Sequence, residues 1–161
     1  MKTKRNLLVI SLQALSLLAV VITLAFGEPS ETFISCDEPD PETLGQFMTD
    51  STGSNSKDSV VLVRELCAGM SNRTTQSWIR GMKVKDNCSK IPPRTAIATF
   101  SGKNGTFNRI GLQHAAIFMA CNKQAIWVYD QTPHSKGVRQ RRLRYGGPPS
   151  TSNGNLFFTI V

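Results

Sequence analysis

Histidine is scarce in this chain of 161 residues, which has only His114 and His134. The two histidines lie far apart in sequence, and no pair of Cys or His residues has the short spacing typical of a zinc site. The sequence therefore predicts no metal centre and no bound cofactor.

Long apolar runs are equally rare. One run covers residues 7–26 and follows the basic residues Lys2, Lys4 and Arg5. With the small-x-small pattern at residues 25–27, it predicts a secretory signal peptide over residues 1–27, cleaved after Gly27. The run is long enough to span a bilayer, so an uncleaved anchor is the alternative. We therefore expect a secreted, extracellular protein with no membrane association after cleavage.

Acidic residues are few beyond residue 50. Residues 28–50 hold seven acids and no Lys or Arg, whereas residues 51–161 hold sixteen Lys and Arg against four acids. This formal surplus of twelve positive charges attracts polyanions. Outside a cell the candidate partners are the anionic bacterial envelope, acidic glycans and nucleic acid, and a basic surface that only confers solubility is the alternative.

The pattern along the chain predicts an acidic segment with a linker at residues 28–56 and one domain at residues 57–161. Apolar residues near helical spacing predict a helix over residues 58–70, with Asp58 or Ser59 as N-cap. A short helix and a turn are expected at 75–85. Strands are predicted at 95–100, 114–121, 125–131, 138–145 and 156–161. The fold class is α+β, an N-terminal helix packed on an antiparallel β-meander.

Residues 114–131 predict a hairpin that carries chemistry. Folded about Asn122 and Lys123, the hairpin places His114 opposite Asp130 or Gln131, on the same face. A carboxylate or amide that orients a histidine is the arrangement used in nucleophilic catalysis. A core histidine with a satisfied hydrogen bond is the structural alternative.

Two residues compete for the position of a nucleophile. The start of a helix carries a partial positive charge that stabilises a thiolate. Ser59 lies at that start but carries a hydroxyl, which needs a stronger base and an oxyanion hole. Cys67 has the right atom but lies two turns inside the predicted helix among apolar neighbours, which is typical of a disulfide or a core thiol.

Four cysteines in a secreted domain favour two disulfides, with three possible connectivities. We favour Cys88 with Cys121, because Cys88 precedes the strand that is expected to pair with the His114 strand. Cys36 then bonds Cys67 and ties the acidic segment to the helix.

The chain from residue 58 to 161 resembles a family of papain-like peptidoglycan amidases of the NlpC/P60 and CHAP type. They are the type VI secretion amidase effectors, of which ticks and mites carry secreted versions called domesticated amidase effectors. The similar blocks are VVLVRELCAG, TTQSWIRGMKVK, IPPRTAIATFSG, HAAIFMA, IWVYDQ and SNGNLFFTIV. In this resemblance Ser59 stands where the family has its catalytic Cys, His114 matches the catalytic histidine, and Asp130-Gln131 matches a D-Q pair. Cysteine parity favours Ser59 over Cys67, because all four cysteines can then pair.

The resemblance implies a secreted antibacterial amidase or endopeptidase that acts on stem-peptide crosslinks of bacterial peptidoglycan. The expected catalytic residues are Ser59, His114 and Asp130, and the expected binding residues are Gln131, Arg139 and Arg141. A hydroxyl at Ser59 implies impaired activity. The alternatives are a catalytically silent peptidoglycan-binding pseudoenzyme and a secreted polyanion-binding protein without a link to the cell wall. We expect a monomer that does not act on nucleic acid.

Overall fold

A computed structural model describes residues 32–51, 53, 56–100, 105–107, 113–147 and 151–161. Residues Thr32–Val161 form one compact unit. The predicted signal peptide lies outside the described residues, as does most of the predicted loop 101–112. No helix within the described ranges is long and apolar enough to cross a membrane.

The helix α1 (Ser59–Leu66) begins where the sequence predicts and ends earlier. Asp58 is its N-cap, since the carboxylate accepts a hydrogen bond from the backbone N–H of Val60 at 3.0 Å. The predicted end at residue 70 is wrong. Cys67 is extended (φ −107°, ψ 135°) and pairs with Cys36 in an isolated antiparallel bridge. The apolar residues Cys67 and Met70 are therefore buried without being helical.

Six strands form one antiparallel sheet in the order β1-β6-β2-β3-β4-β5. Their bounds are β1 (Arg80–Lys83), β2 (Thr95–Thr99), β3 (Ala115–Cys121), β4 (Ala125–Asp130), β5 (Arg139–Arg144) and β6 (Phe157–Ile160). Strands β2 to β5 are the predicted meander. The last strand, β6, returns to lie between β1 and β2.

The strand β1 corrects the prediction for residues 75–85. A 3₁₀ helix, Thr75–Ser77, is followed there by a strand rather than by a turn. A Cβ added at Gly81 would lie 2.3 Å from Oγ1 of Thr159 on β6, so the two strands approach closely at a residue without a side chain. The pairing partner of β1 is β6, which lies far away in sequence, so local periodicity cannot reveal the short strand β1.

The sheet is buried on both faces. On one face α1 contributes Val60, Leu62 and Val63 to a core that includes Ala115, Ile117 and Tyr129. The other core contains Ile97, Ala116, Phe118, Ile126, Val128, Leu143 and Phe157. Strand β2 is buried along its whole length, including the threonines at its two ends.

Two disulfides, Cys36–Cys67 and Cys88–Cys121, confirm the expected pairing. None of the four cysteines is free. The first bond joins the segment before α1 to the residue that ends the helix. There the backbone N–H of Asp37 also donates to the carbonyl of Leu66 at 2.8 Å. The boundary at residue 57 between linker and domain stays a prediction.

Candidate active site

The hairpin of β3 and β4 brings His114 to Asp130, in a register that differs from the predicted one. Its turn is centred on Lys123 and Gln124, because the Asn122 side chain accepts the backbone N–H of Gln124 at 2.8 Å and Asn122 N donates to the carbonyl of Ala125 at 3.0 Å. Ile117 pairs with Tyr129, so His114 is a diagonal neighbour of Asp130 rather than its direct opposite. The two side chains still share a face, and Nε2 of His114 lies 2.7 Å from Oδ2 of Asp130.

Two arginines of β5 complete a charged cluster around Asp130. Arg141 Nη2 contacts Asp130 Oδ2 and lies 3.1 Å from His114 Nε2. Arg139, directly opposite Asp130 in the sheet, places Nε 3.6 Å from the other carboxylate oxygen. The Asp130 side chain is 0 % exposed, that of Arg141 17 % and that of Arg139 44 %. The cluster therefore runs from the protein interior to its surface.

The cluster keeps Asp130 ionised. Burial by itself raises the pKa of the Asp130 carboxyl, but the hydrogen bond from His114 and the charges of His114, Arg141 and Arg139 outweigh burial and lower that pKa. For Arg141, burial is the largest influence and lowers the pKa of the guanidinium, while Asp130 opposes that shift. An arginine remains protonated in either case.

The ionised carboxylate fixes the histidine tautomer. A carboxylate only accepts hydrogen bonds, so the 2.7 Å contact places the ring proton of a neutral His114 on Nε2. The acceptor nitrogen of the neutral ring is then Nδ1. The backbone N–H of His114 donates to Thr99 Oγ1 at 2.9 Å, and the ring lies edge-on to Phe157 with centroids 6.0 Å apart. These contacts hold the imidazole in one orientation.

Ser59 is the first residue of α1 and its side chain is directed at the sheet. The Ser59 hydroxyl accepts a hydrogen bond from the backbone N–H of Ala115 at 3.1 Å. Ser59 and His114 both lie in the described part of the chain, and no hydrogen bond joins them. Both border one cavity of about 480 Å³, which is lined by Asp58, Ser59, Gln113, His114, Gln131, Thr132, Pro133, His134 and Thr151.

Gln131 braces the start of the helix. Its carboxamide oxygen accepts the backbone N–H of Met48 at 2.9 Å, and its nitrogen donates to the carbonyls of Ser56 at 2.9 Å and Asp58 at 2.8 Å. The side chain is buried. Gln131 thus holds three chain segments together beside the cavity, and its expected role in binding stays a prediction.

The remaining site candidates are Cys67 and the arginines of β5. Cys67 is disulfide-bonded and is therefore not a thiol. Because residues alternate along a strand, the arginines of β5 are divided between its two faces. Arg139 and Arg141 face Asp130, whereas Arg142 is exposed on the other face, where its guanidinium lies 5.5 Å from the Trp127 ring centroid.

Sequence reasoning missed several residues of the cavity wall. Gln113, Thr132, Pro133 and Thr151 border the cavity without any motif of their own. His134 is exposed in a turn that contains Pro133, and it also borders the cavity. Their shared position arises from the ends of β3 and β4 and from the segment before β6, so only the topology brings them together.

The family model described as domesticated amidase effector 2 matches residues 23–160. The chain belongs to the domesticated amidase effector 2 family. It is 43% identical over 144 residues to "Domesticated amidase effector 2" of Ixodes scapularis, with 88% of this chain and 94% of the relative covered. Among solved structures, "Type 6 secretion amidase effector 2 (Tae2)" is similar with a TM-score of 0.59 and 22% identity. That match covers 76% of this chain and 91% of Tae2 and establishes a shared α+β fold.

Proposed function

We propose that this chain is a secreted peptidoglycan amidase-type protein in which Ser59 holds the nucleophile position, His114 acts as general base and acid, and Asp130 orients His114. Family membership supports the substrate class and the reaction type. The observation that carries the site assignment is the buried His114–Asp130 pair in the wall of a cavity that also contains the first residue of α1. With this assignment of the site we also propose that the fold is of the papain-like NlpC/P60 type.

The chemistry is that of acyl transfer. Ser59 Oγ attacks the carbonyl carbon of a stem-peptide amide while its proton passes to His114 Nδ1. The backbone N–H of residue 59 at the helix start stabilises the oxyanion. His114 then gives the proton to the leaving amine as the C–N bond breaks, leaving an ester on Ser59. A water molecule, deprotonated by His114, hydrolyses the ester and restores the hydroxyl.

The hydroxyl makes this site a weak one. A helix N-terminus and a neighbouring imidazole bring a thiol to the thiolate, but a serine hydroxyl is too weakly acidic to ionise at neutral pH. In addition, Ser59 Oγ accepts the backbone N–H of Ala115 at 3.1 Å, and this donor lowers the electron density on the oxygen that would attack. We expect an assembled site with low activity.

The test is Ser59→Cys on purified crosslinked peptidoglycan, with released muropeptides as the readout. Amidase activity should rise by orders of magnitude, because a thiolate needs no proton removal during attack. His114→Ala in the same background should abolish that gain. Ser71→Cys is the matched control, since Ser71 is exposed and lies away from the cavity. Both Cys variants should show one titratable thiol and the unaltered protein none.

A catalytically silent peptidoglycan-binding protein is the second candidate function. The Ser59–Ala115 hydrogen bond favours it, because the N–H of Ala115 occupies a lone pair of the oxygen that would have to attack. If Ser59→Cys binds peptidoglycan and releases no muropeptides, the binding function replaces the enzymatic one. If Ser59→Ala retains an existing activity of the unaltered protein in full, the assignment of Ser59 is wrong.

A further inference from the structure

A second, larger cavity adjoins the candidate active site. It has a volume of about 840 Å³ and is lined by Leu44, Gly45, His134, Ser135, Lys136, Gly137, Val138, Arg139 and Gln140. We call this second cavity the groove. His134 borders both the groove and the active-site cavity, which is lined by Ser59 and His114. The two cavities therefore meet at His134.

The walls of the groove are fixed by backbone contacts. Val138 N donates to the carbonyl of Gln46 at 2.8 Å, and Gly45 N donates to the carbonyl of Val138 at 2.8 Å. Gly137, at φ +131°, leaves no room for a Cβ, which would lie 2.3 Å from the backbone carbon of Gln46. These contacts join residues 45–46 to residues 137–138 as closely as two strands.

The loop on the other wall is braced by one hydroxyl. The single hydroxyl proton of Ser135 can be donated either to the carbonyl of Thr132, at 2.8 Å, or to the carbonyl of Gly137, at 2.9 Å. Ser135 Oγ also accepts the backbone N–H of Thr132 at 3.0 Å. The side chains of His134, Lys136 and Arg139 are exposed on this braced frame. The groove is thus formed before any ligand arrives, which lowers the entropic cost of binding.

The charge of the groove selects its occupant. Its lining contains Lys136 and Arg139 and no acidic residue, while the exposed side chain of Leu44 supplies apolar surface. Asp130 is buried beneath Arg139, and the exposed Glu38 is linked to the lining residue Gln140 through the hydroxyl of Tyr129. A peptide with free carboxylates and short apolar side chains matches this combination of charge and surface.

We propose that this groove binds the carboxylate-bearing part of a crosslinked stem peptide that extends beyond the cleaved amide, with Lys136 as its main anion contact. The inference rests on the proposed function, because it takes the occupant to be the same substrate. The groove determines which peptides are held for reaction, while the reaction itself takes place at Ser59 and His114.

The experiment measures binding separately from cleavage. A soluble crosslinked muropeptide dimer is titrated into ¹⁵N-labelled protein carrying Ser59→Ala, which cannot turn it over. Backbone signals of Gly45, Lys136 and Gln140 should shift. Lys136→Gln should weaken binding about three- to fivefold, the range expected for one exposed ion pair, and Lys136→Glu should weaken it further. Lys123→Gln, an equal charge change at the exposed hairpin turn, should leave affinity unchanged.

The second arm of the experiment changes the ligand instead of the protein. The same dimer with its free carboxylates amidated should bind the unaltered groove as weakly as the unmodified dimer binds Lys136→Gln. The proposal is overturned if groove signals do not shift, if Lys123→Gln weakens binding equally, or if amidation has no effect. Cleavage by Ser59→Cys without groove shifts would refute the groove alone, whereas groove binding without cleavage by any variant would refute the amidase function alone.

Discussion

Asp130 is the residue on which the candidate site depends most. Its pKa is lowered in the folded protein despite burial, because His114, Arg141 and Arg139 surround its carboxylate. A free Asp titrates near pH 4, so between that pH and the lower folded pKa the unfolded chain binds more protons than the folded one. The stabilisation is therefore complete above about pH 4 and is lost as pH falls through the folded pKa.

Asp130→Asn should flatten this acid dependence. Urea unfolding between pH 2 and pH 7 should show a smaller slope of unfolding free energy against pH for Asp130→Asn than for the unaltered protein. Asp37→Asn is the control, because Asp37 is exposed and should leave the slope unchanged. An unchanged slope in Asp130→Asn would mean that other carboxylates cause the acid sensitivity.

Arg141 should matter for stability in a way that its neighbour Arg142 does not. Arg141→Gln leaves the buried Asp130 without its closest cation, and breaking a buried ion pair costs about 3 kcal/mol. Arg142→Gln removes only exposed contacts with Gln124 and Trp127 and should cost under about 1 kcal/mol. Urea denaturation of both variants at pH 7 measures the difference, and equal losses would contradict the burial of Arg141.

The sequence predicted part of this residue-scale arrangement. His114 and Asp130 could be found because both lie at the end of the predicted hairpin. Alternation from the buried Leu143 places Arg141 on the inner face of β5. The contact of Arg141 with His114 could not be predicted, since it depends on the exact register of three strands.

At the scale of elements, the site depends on how α1 is held against the sheet. Gln131 joins Met48, Ser56 and Asp58 at the helix start. Gln131→Leu would leave these backbone groups unsatisfied at about 1–3 kcal/mol each, and would let Ser59 shift relative to His114. In the Ser59→Cys background, we expect lower stability together with a reduced kcat.

The control for Gln131→Leu is Gln76→Leu, an exposed position away from the helix start. Thermal unfolding and muropeptide release should both be unaffected there. A Gln131→Leu protein that is less stable but retains full kcat would show that the brace supports the fold without positioning the nucleophile.

Elements that arise from local pattern were predictable, and elements that arise from distant pairing were not. The start of α1 follows from Asp58 and an apolar periodicity, and the meander follows from alternating runs. The early end of α1 depends on the Cys36–Cys67 bond, and β1 depends on β6 at the far end of the chain. The hairpin turn lies one residue later than predicted. The Asn122 side chain accepts the backbone N–H of Gln124, and this contact makes Lys123 and Gln124 the turn residues.

At the scale of the whole molecule, the two signs of charge are divided between chain segments. The acids of residues 28–50 precede a region with twelve surplus positive charges. Part of the acidic segment is bound to the domain, for example where Tyr129 donates to Glu38. The basic surface still exceeds the acidic one, so we expect attraction to anionic bacterial envelopes.

That attraction should depend on salt and on the exposed face of β5. Arg142 and Arg144 are exposed, whereas Arg141 is held by Asp130, so the informative variant replaces Arg142 and Arg144 together by Gln and keeps Arg141. Exposed charges are screened over about 8 Å at physiological salt. Sedimentation with purified envelopes should show binding that weakens from 50 to about 500 mM salt. The double variant should bind more weakly, with a smaller salt dependence and an unchanged unfolding midpoint. Binding that is insensitive to salt would mean that recognition depends on the cavities rather than on surface charge.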